Sequence, residues 1–275
     1  MRRAVASYLE AGRDIAQQAG ALLMRYFERG VDYRLKGEFD LVTEADHASE
    51  ALIIELLRSR FPTHAVVAEE SGGAQAASPF CWYVDPLDGT TNFAHGFPVF
   101  CVSLALARDG ELLCGVIFDP LHQELFEAER GAGARLNGRR IQVSAVGRLA
   151  DSLAATGFPS RKRHLNVNVH FYYQMAMLSH GVRRAGSAAL DLAYVACGRL
   201  DAFWQFGLNP WDMAAGILLV EEAGGKVSDM QGAPACLRGP HLLADNGRLH
   251  AEILGVFGEV FQGRYRTPLP ELPAR

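Results

Sequence analysis

Residues 82–93 read Trp82-Tyr83-Val84-Asp85-Pro86-Leu87-Asp88-Gly89-Thr90-Thr91-Asn92-Phe93. An apolar strand ends here, and two carboxylates follow three positions apart on a turn stiffened by Pro86. No Lys or Arg lies between Asp85 and Phe97, so nothing local neutralises Asp85 or Asp88. Two unpaired carboxylates held close repel each other, which is costly unless a cation sits between them. All-oxygen ligands point to a hard ion, magnesium first, and the backbone carbonyl of Leu87 can add another oxygen. Gly89 and Thr90 would offer backbone N–H groups to a phosphate if a helix or nest opens there. The same residues also describe an ordinary solvated turn rich in Asp, Pro and Gly.

Three further acidic segments bear on that choice. Val66-Val67-Ala68-Glu69-Glu70-Ser71-Gly72 places acids directly after another short apolar strand, where open sheets gather ligands. Asn209-Pro210-Trp211-Asp212 reads as an N-cap, a proline at the first helical position and an acid in the first turn. The helix dipole alone favours such an acid by about 0.3–1 kcal/mol, so Asp212 has a structural explanation too. Asp40-Leu41-Val42-Thr43-Glu44-Ala45-Asp46 adds acid in front of a second helix. Four such clusters, all at element boundaries, fit a metal-centred site better than four separate structural reasons.

The 275 residues suffice for one large domain or two modest ones. At 49% hydrophobic and 21% charged the chain is globular, which excludes disorder, collagen and coiled coil. The net charge of −4 supplies no general attraction for nucleic acid or anionic membrane. No apolar run reaches the ~18 residues of a membrane span, and Ser7, Glu10, Arg13 and Asp14 interrupt any apolar signal core after Arg2 and Arg3. A soluble cytoplasmic protein is expected. The cysteines (Cys81, Cys101, Cys114, Cys197, Cys236) are odd in number and lack C-x-x-C spacing, which predicts free, mostly buried thiols. None of the nine histidines forms an H-E-x-x-H pair, so histidine–zinc chemistry is not expected.

Apolar spacing predicts a helix over 4–29, an exposed polar loop over 31–40, and a second helix capped by Thr43 with Asp46 three residues on, running to Pro62. Strands are expected at Ala65–Ala68, Cys81–Val84, Val99–Ala107 and Glu111–Phe118. Leu125–Ala128 and Ile141–Val143 flank a hairpin signal, Asn137-Gly138. Beyond it, helices are expected at Asn168–Ser179, Ser187–Gly198, Trp211–Ala223 and Gly247–Phe261, and strands at Leu153–Thr156, Ala202–Phe206, Lys226–Ser228 and Leu242–Ala244. Tight turns between strands favour mixed sheets. The expected organisation is an α/β (α+β) stack of sheet and helix layers in two packed halves. Residues 1–146 carry most of the acids and 147–275 carry Asp212, together forming one compact unit.

The whole set resembles the inositol monophosphatase family of magnesium-dependent, lithium-sensitive phosphatases, from the first helix to roughly residue 260. Its most specific pieces are Asp85-Pro86-Leu87-Asp88-Gly89-Thr90-Thr91-Asn92-Phe93 and Trp211-Asp212-x-x-Ala215-Gly216; Glu69-Glu70-Ser71 and Asp40-Leu41-Val42-Thr43-x-x-Asp46 match as well. The resemblance implies a layered α/β/α/β/α sandwich of the inositol monophosphatase and fructose-1,6-bisphosphatase type, usually a homodimer, that hydrolyses a small-molecule phosphate monoester with two or three Mg2+. It implies Glu69, Asp85 and the Leu87 carbonyl as ligands of one metal, and Asp85, Asp88 and Asp212 as ligands of a second. Glu69 and Thr90 would position the attacking water, Asp46 would hold Thr90, and Lys36 would belong to a mobile loop closing on the site. Leu87, Asp88, Gly89, Thr90 and Asp212 would face the phosphate, and Gly186, Ser187 and Ala188 the alcohol. One position departs from the pattern: inositol-handling members carry a glutamate where this chain has Gln205, which opens the identity of the alcohol. Inositol 1-phosphate is the leading substrate. Fructose 1,6-bisphosphate, 3′-phosphoadenosine phosphate and histidinol phosphate are the rivals within the superfamily, and a non-catalytic interaction module is the rival outside it. The intact set Glu69, Asp85, Asp88, Thr90 and Asp212 argues against that module.

Overall fold

The computed structural model describes residues 2–35, 41–72, 78–158 and 166–269. Lys36 and Asp40 lie outside them. In chain order the elements are α1 (Arg2–Arg29), β1 (Tyr33–Leu35), β2 (Leu41–Thr43), α2 (Glu44–Arg60), β3 (Ala65–Ala68), β4 (Phe80–Asp88), α3 (Thr90–Ala94), β5 (Cys101–Arg108), β6 (Glu111–Asp119), β7 (Glu124–Glu129), β8 (Gly133–Leu136) and β9 (Arg139–Arg140). They continue as β10 (Leu153–Thr156), α4 (Asn168–Leu178), β11 (Gly181–Arg183), α5 (Ala188–Ala196), β12 (Ala202–Phe206), α6 (Pro210–Glu222), β13 (Lys226–Ser228), β14 (His241–Asp245) and α7 (His250–Phe261).

Two mixed sheets carry the fold. The seven-stranded sheet runs β3-β4-β5-β6-β7-β8-β9, parallel at β3–β4 and antiparallel elsewhere. The five-stranded sheet runs β11-β10-β12-β14-β13, with β10 parallel to both its neighbours. Side-chain parity shows what covers each face, because successive residues of a strand point to opposite sides. On β5, Val102, Leu104 and Leu106 join the core formed with Ile15, Leu23 and Ile53 of α1 and α2. The alternate residues Cys101, Ala105 and Ala107 join the core of α5 and α6 with Leu192 and Leu218. On β12, Phe203 faces that same central core, while Trp204 faces Phe171 and Phe257 of α4 and α7. The order is therefore α1/α2, sheet, α5/α6, sheet, α4/α7: the expected five-layer sandwich. Sheets buried on both faces need nearly continuous apolar strands, and Cys101–Ala107 is buried without a break.

The capping of α2 is as the sequence predicts: Ala45 N–H donates to Thr43 Oγ (3.1 Å) and Asp46 Oδ2 accepts from Thr43 N–H (2.8 Å). Four local expectations change. The segment read as a loop contains β1, which pairs with β2 in the register Tyr33↔Thr43; three-residue strands are too short for periodicity to reveal. Asn137 and Gly138 do form a left-handed turn (φ 49 and 77), but it joins β8 to β9. Ile141–Val143 is not a strand: Ile141 N–H bonds Ala134 O of β8 but Val143 N–H bonds Ala223 O at the end of α6, so the segment leaves the sheet and packs on the core. The sequence reading also passes over β2, β8, β9 and β11, none longer than four residues. All five cysteines are free, as expected, but only Cys101 and Cys114 are buried, and burial pushes the Cys114 thiol up to about 12. No helix among the described residues is long and apolar enough to cross a membrane.

Candidate active site

In a regular strand, residues three apart point to opposite faces, so Asp85 and Asp88 would be separated by the sheet. The pairing of β4 with β5 prevents this. Asp85 pairs with Ser103 and Asp88 with Cys101, so one extra residue is inserted on β4. Pro86, which has no N–H to give the ladder, lies inside that bulge. Both aspartates consequently line one cavity of about 660 Å3.

The cavity opens where the ends of β3 and β4 meet the starts of α5 and α6. It is lined by Glu69, Asp85, Leu87, Asp88, Gly89, Thr90, Gly186, Ser187, Ala188, Gln205 and Asp212, which is every site residue read from the sequence except two. Of those two, Asp46 stands behind the wall, fully buried, and Lys36 is outside the described residues.

Hydrogen bonds fix each acid. Asp85, 1% exposed, accepts the Leu87 N–H at Oδ1 (3.0 Å). Asp88 Oδ2 accepts both the Ser187 hydroxyl and the Ala189 N–H, each at 2.7 Å, at the positive end of α5. Asp212 Oδ2 accepts the Asn209 N–H (2.7 Å), the helix-start contact that its position predicts. Asp212 is thus a capping residue and a cavity residue at once. Every one of these carboxylates keeps lone pairs beyond its protein donors. Thr90 Oγ lies 2.9 Å from Asp46 Oδ1 and 3.1 Å from the Leu87 carbonyl. Gly89 takes φ 98, and a Cβ there would sit 2.8 Å from the Val99 carbonyl, so this turn into α3 has room only for glycine.

The electrostatics are one-sided. Among the described residues, six acids but a single cation, Arg184, line the cavity. Burial, then Glu69, Asp88 and Asp212, hold the Asp85 carboxyl well above its usual range. Burial raises Asp88 to about 6 against the pull of the Ser187, Ala189 and Gly89 bonds. Burial also raises Asp212, opposed by its Asn209 bond and reinforced by Asp88 and Glu69. Among the described residues no three acidic, histidine or cysteine side chains are drawn into a closed metal cage; the acids ring the cavity instead. Their chemistry, all oxygen and mutually destabilised as anions, suits hard divalent cations.

Several residues at the site escaped the sequence reading. Ser49 and Glu50 reach it from α2, at three and four positions after Asp46, the spacing of one helix face. Asp191 lines the cavity with Oδ1 buried and without a hydrogen-bond partner among the described residues; burial, then Asp88, pushes its carboxyl well up, and Arg184 opposes this. Asn92 ties two loops by donating to the Val99 and Ala185 carbonyls (2.7 and 2.9 Å). Gln205 faces the cavity, its amide laid so closely on Gly157 that a Cβ there would fall 1.8 Å from Oε1.

Comparison with known proteins agrees with this geometry. The sequence model described as the inositol monophosphatase family matches residues 5–261. An inositol-1-monophosphatase of Synechocystis sp. is 48% identical over 250 residues, covering 90% of this chain and 87% of that protein. The Nus factor SuhB of Pseudomonas aeruginosa is 47% identical over 247 residues, covering 87% and 91%. The solved inositol monophosphatase of Anabaena (Nostoc) sp. superposes with a TM-score of 0.84 at 42% identity, covering 94% of this chain and 96% of that one. A five-layer sandwich, an acid-ringed cavity at the sheet ends and near-full-length similarity lead to one assignment: the chain belongs to the inositol monophosphatase family of phosphoric monoester hydrolases.

Proposed function

We propose that the protein hydrolyses small-molecule phosphate monoesters with two or three Mg2+, and that inositol 1-phosphate is accepted without being strongly preferred. The observation that carries this is the convergence of Asp85, Asp88 and Asp212 on one cavity, each held away from its ordinary ionisation by burial. Glu69, Asp85 and the Leu87 carbonyl would hold one cation, and Asp85, Asp88 and Asp212 a second. When bound, such ions supply charge neutralisation for the phosphoryl oxygens and acidify water.

The chain's own residues do the rest. Thr90, giving its proton to Asp46, turns its hydroxyl lone pairs toward an attacking water and aligns it with Glu69. The amides of Gly89 and Thr90 meet developing negative charge on the phosphate. Gly186, Ser187, Ala188 and Gln205 receive the alcohol. No covalent nucleophile is needed, and Ser187 is already committed to Asp88. In this reading the halves 1–146 and 147–275 act as one catalytic unit, and the protein works as a cytoplasmic homodimer.

Gln205 supports the broad specificity. An ionised glutamate only accepts hydrogen bonds, matching a polyol that donates, whereas an amide both donates and accepts. The test is phosphate release by purified protein from inositol 1-phosphate, glycerol 2-phosphate, 2′-AMP and fructose 1,6-bisphosphate with magnesium. Release from none of them overturns the proposal. The similarity to proteins named Nus factor SuhB favours a binding role alongside hydrolysis. Under that reading an Asp85→Asn variant keeps its partner while losing turnover.

A further inference from the structure

Two of the acidic segments, 82–93 and 66–72, are held by one turn of α2. Asp46, Ser49 and Glu50 are all buried and stand at i, i+3 and i+4 on the face that continues into Ile53 and Leu57. Asp46 and Ser49 hold two points of the 82–93 segment, and Glu50 holds the turn after β3. Asp46 receives Thr90, and Ser49 donates to the Pro86 carbonyl at 2.8 Å. Glu50 Oε2 accepts the Glu70 N–H at 2.8 Å and Oε1 the Ser71 N–H at 2.9 Å.

The Glu50 contacts are the least expected. This carboxyl is 5% exposed and meets no cation among the described residues, only two backbone amides. A buried carboxylate is an expensive way to close a turn when a neutral side chain would serve. What it does here is give each amide an oxygen of its own, which a side chain with one acceptor atom cannot do. The turn it grips holds Glu69, whose own N–H bonds the Val84 carbonyl (3.2 Å), and Gly72 N–H closes the turn on Ala68 (3.1 Å). Glu69 is thereby fixed from the strand side by β4 and from the helix side by Glu50. Ser49 acts in the same way one segment along: it fixes the peptide plane between Pro86 and Leu87, and the Leu87 N–H on that plane is the one that bonds Asp85.

We propose that Glu50 and Ser49 are positioning residues for the metal-dependent reaction: α2 clamps the Glu69 turn and the Asp85 bulge in the spacing that cation binding requires. This rests on the phosphatase reading above. The two stay distinguishable, because metal binding can be followed without substrate, by the magnesium-induced rise in melting temperature.

The experiment compares wild type with Glu50→Gln, Glu50→Asp and Ser49→Ala, in melting with and without magnesium and in turnover across magnesium concentrations. Glutamine matches the shape but sets an NH2 against one amide N–H; aspartate keeps the charge but is one methylene short of bridging both. With positioning, both Glu50 variants raise the half-saturating magnesium about fivefold or more and lower kcat about tenfold, substrate KM changing less than about twofold. The magnesium-induced melting shift shrinks in parallel. Ser49→Ala gives the same pattern at about threefold, and it decides the matter if a Glu50 variant does not fold. Lower melting temperatures with an unchanged magnesium shift and unchanged half-saturation would overturn the proposal, leaving a structural clamp. So would an Asp variant that behaves like wild type while Gln fails, since charge alone would then suffice. A wild type that shows the melting shift but releases no phosphate sinks the phosphatase reading and leaves the clamp to be judged by melting.

Discussion

The Thr90 hydroxyl donates across 44 positions of chain to Oδ1 of Asp46, at 2.9 Å, while the other oxygen of the same carboxylate completes the cap of α2, in whose first turn Asp46 stands. One side chain therefore serves the site with one oxygen and the fold with the other, and the two jobs are separable by mutation. Thr90→Val keeps the shape and removes only the hydroxyl; it is expected to lower kcat about 10²-fold, the scale of a lost aligning group, with little change in melting. Asp46→Asn is expected to lose both turnover and about 1 kcal/mol of stability, because the cap is weakened as well. Thermal melts beside single-substrate kinetics separate the two patterns.

Asp85 belongs to both proposed cation sites, so Asp85→Asn should cost at least about 10³ in kcat. Its stability should move the other way. Removing a buried carboxyl that Glu69, Asp88 and Asp212 repel is expected to raise the melting temperature measured in chelator. Near-normal turnover in this variant would show the ligand assignment to be wrong. Asp212→Asn retains an oxygen for the Asn209 N–H, so it should cost activity heavily but less than about 1 kcal/mol of stability.

Asp88 gives a pH dependence of definite sign. Its carboxyl rises from 3.8 to about 6 on folding, so between those values the native state holds a proton that the unfolded chain has released. Its contribution to stability is therefore largest at low pH and falls as pH rises through that window. Metal-free protein should show this fall in melting temperature, and Asp88→Asn should flatten it. Magnesium, which favours the ionised acid, should stabilise more at neutral pH than at pH 5. Parallel slopes for wild type and Asp88→Asn in chelator would contradict the burial-driven shift.

Gln205→Glu tests the alcohol pocket. Charged hydrogen bonds are worth about 1.5–3 kcal/mol against about 0.5–1.5 for neutral ones, so the substitution should raise kcat/KM on inositol 1-phosphate about tenfold. It should raise glycerol 2-phosphate less and lower fructose 1,6-bisphosphate. Gly157→Ala offers an independent route, because its methyl group would occupy the place of the Gln205 amide and push it aside. An unchanged ranking of the three substrates in both variants would remove Gln205 from the specificity pocket.

What was legible in the sequence were features governed by near neighbours. The Thr43–Asp46 cap, the proline start of α6 and the acids at the ends of β3 and β4 obey rules that act within four residues. What was not legible depends on distant chain. Ile141–Val143 has the composition of a strand, yet its amide partners are Ala134 and Ala223. Ser49 and Glu50 look like the polar side of an amphipathic helix until the turn at Glu69 arrives to receive them. Asp191 reads as a first-turn acid, and only its place in the cavity wall shows it to be buried. Gln205 stood out because a pattern of residue types exposed it, but its approach to Gly157 required coordinates.

The one-residue irregularity between Asp85 and Asp88 has a consequence for anyone who would transplant this acidic pair to another scaffold. Copying the two aspartates at their separation onto a regular strand would send one of them through to the far side of the host sheet. The portable unit is larger: the acids, the proline between them, a partner strand with one residue between the paired ends against two, and an outside hydroxyl to hold the displaced carbonyl. A deletion of a single residue within that unit should abolish function more thoroughly than replacing either acid, since it would shift the facing of every side chain beyond it.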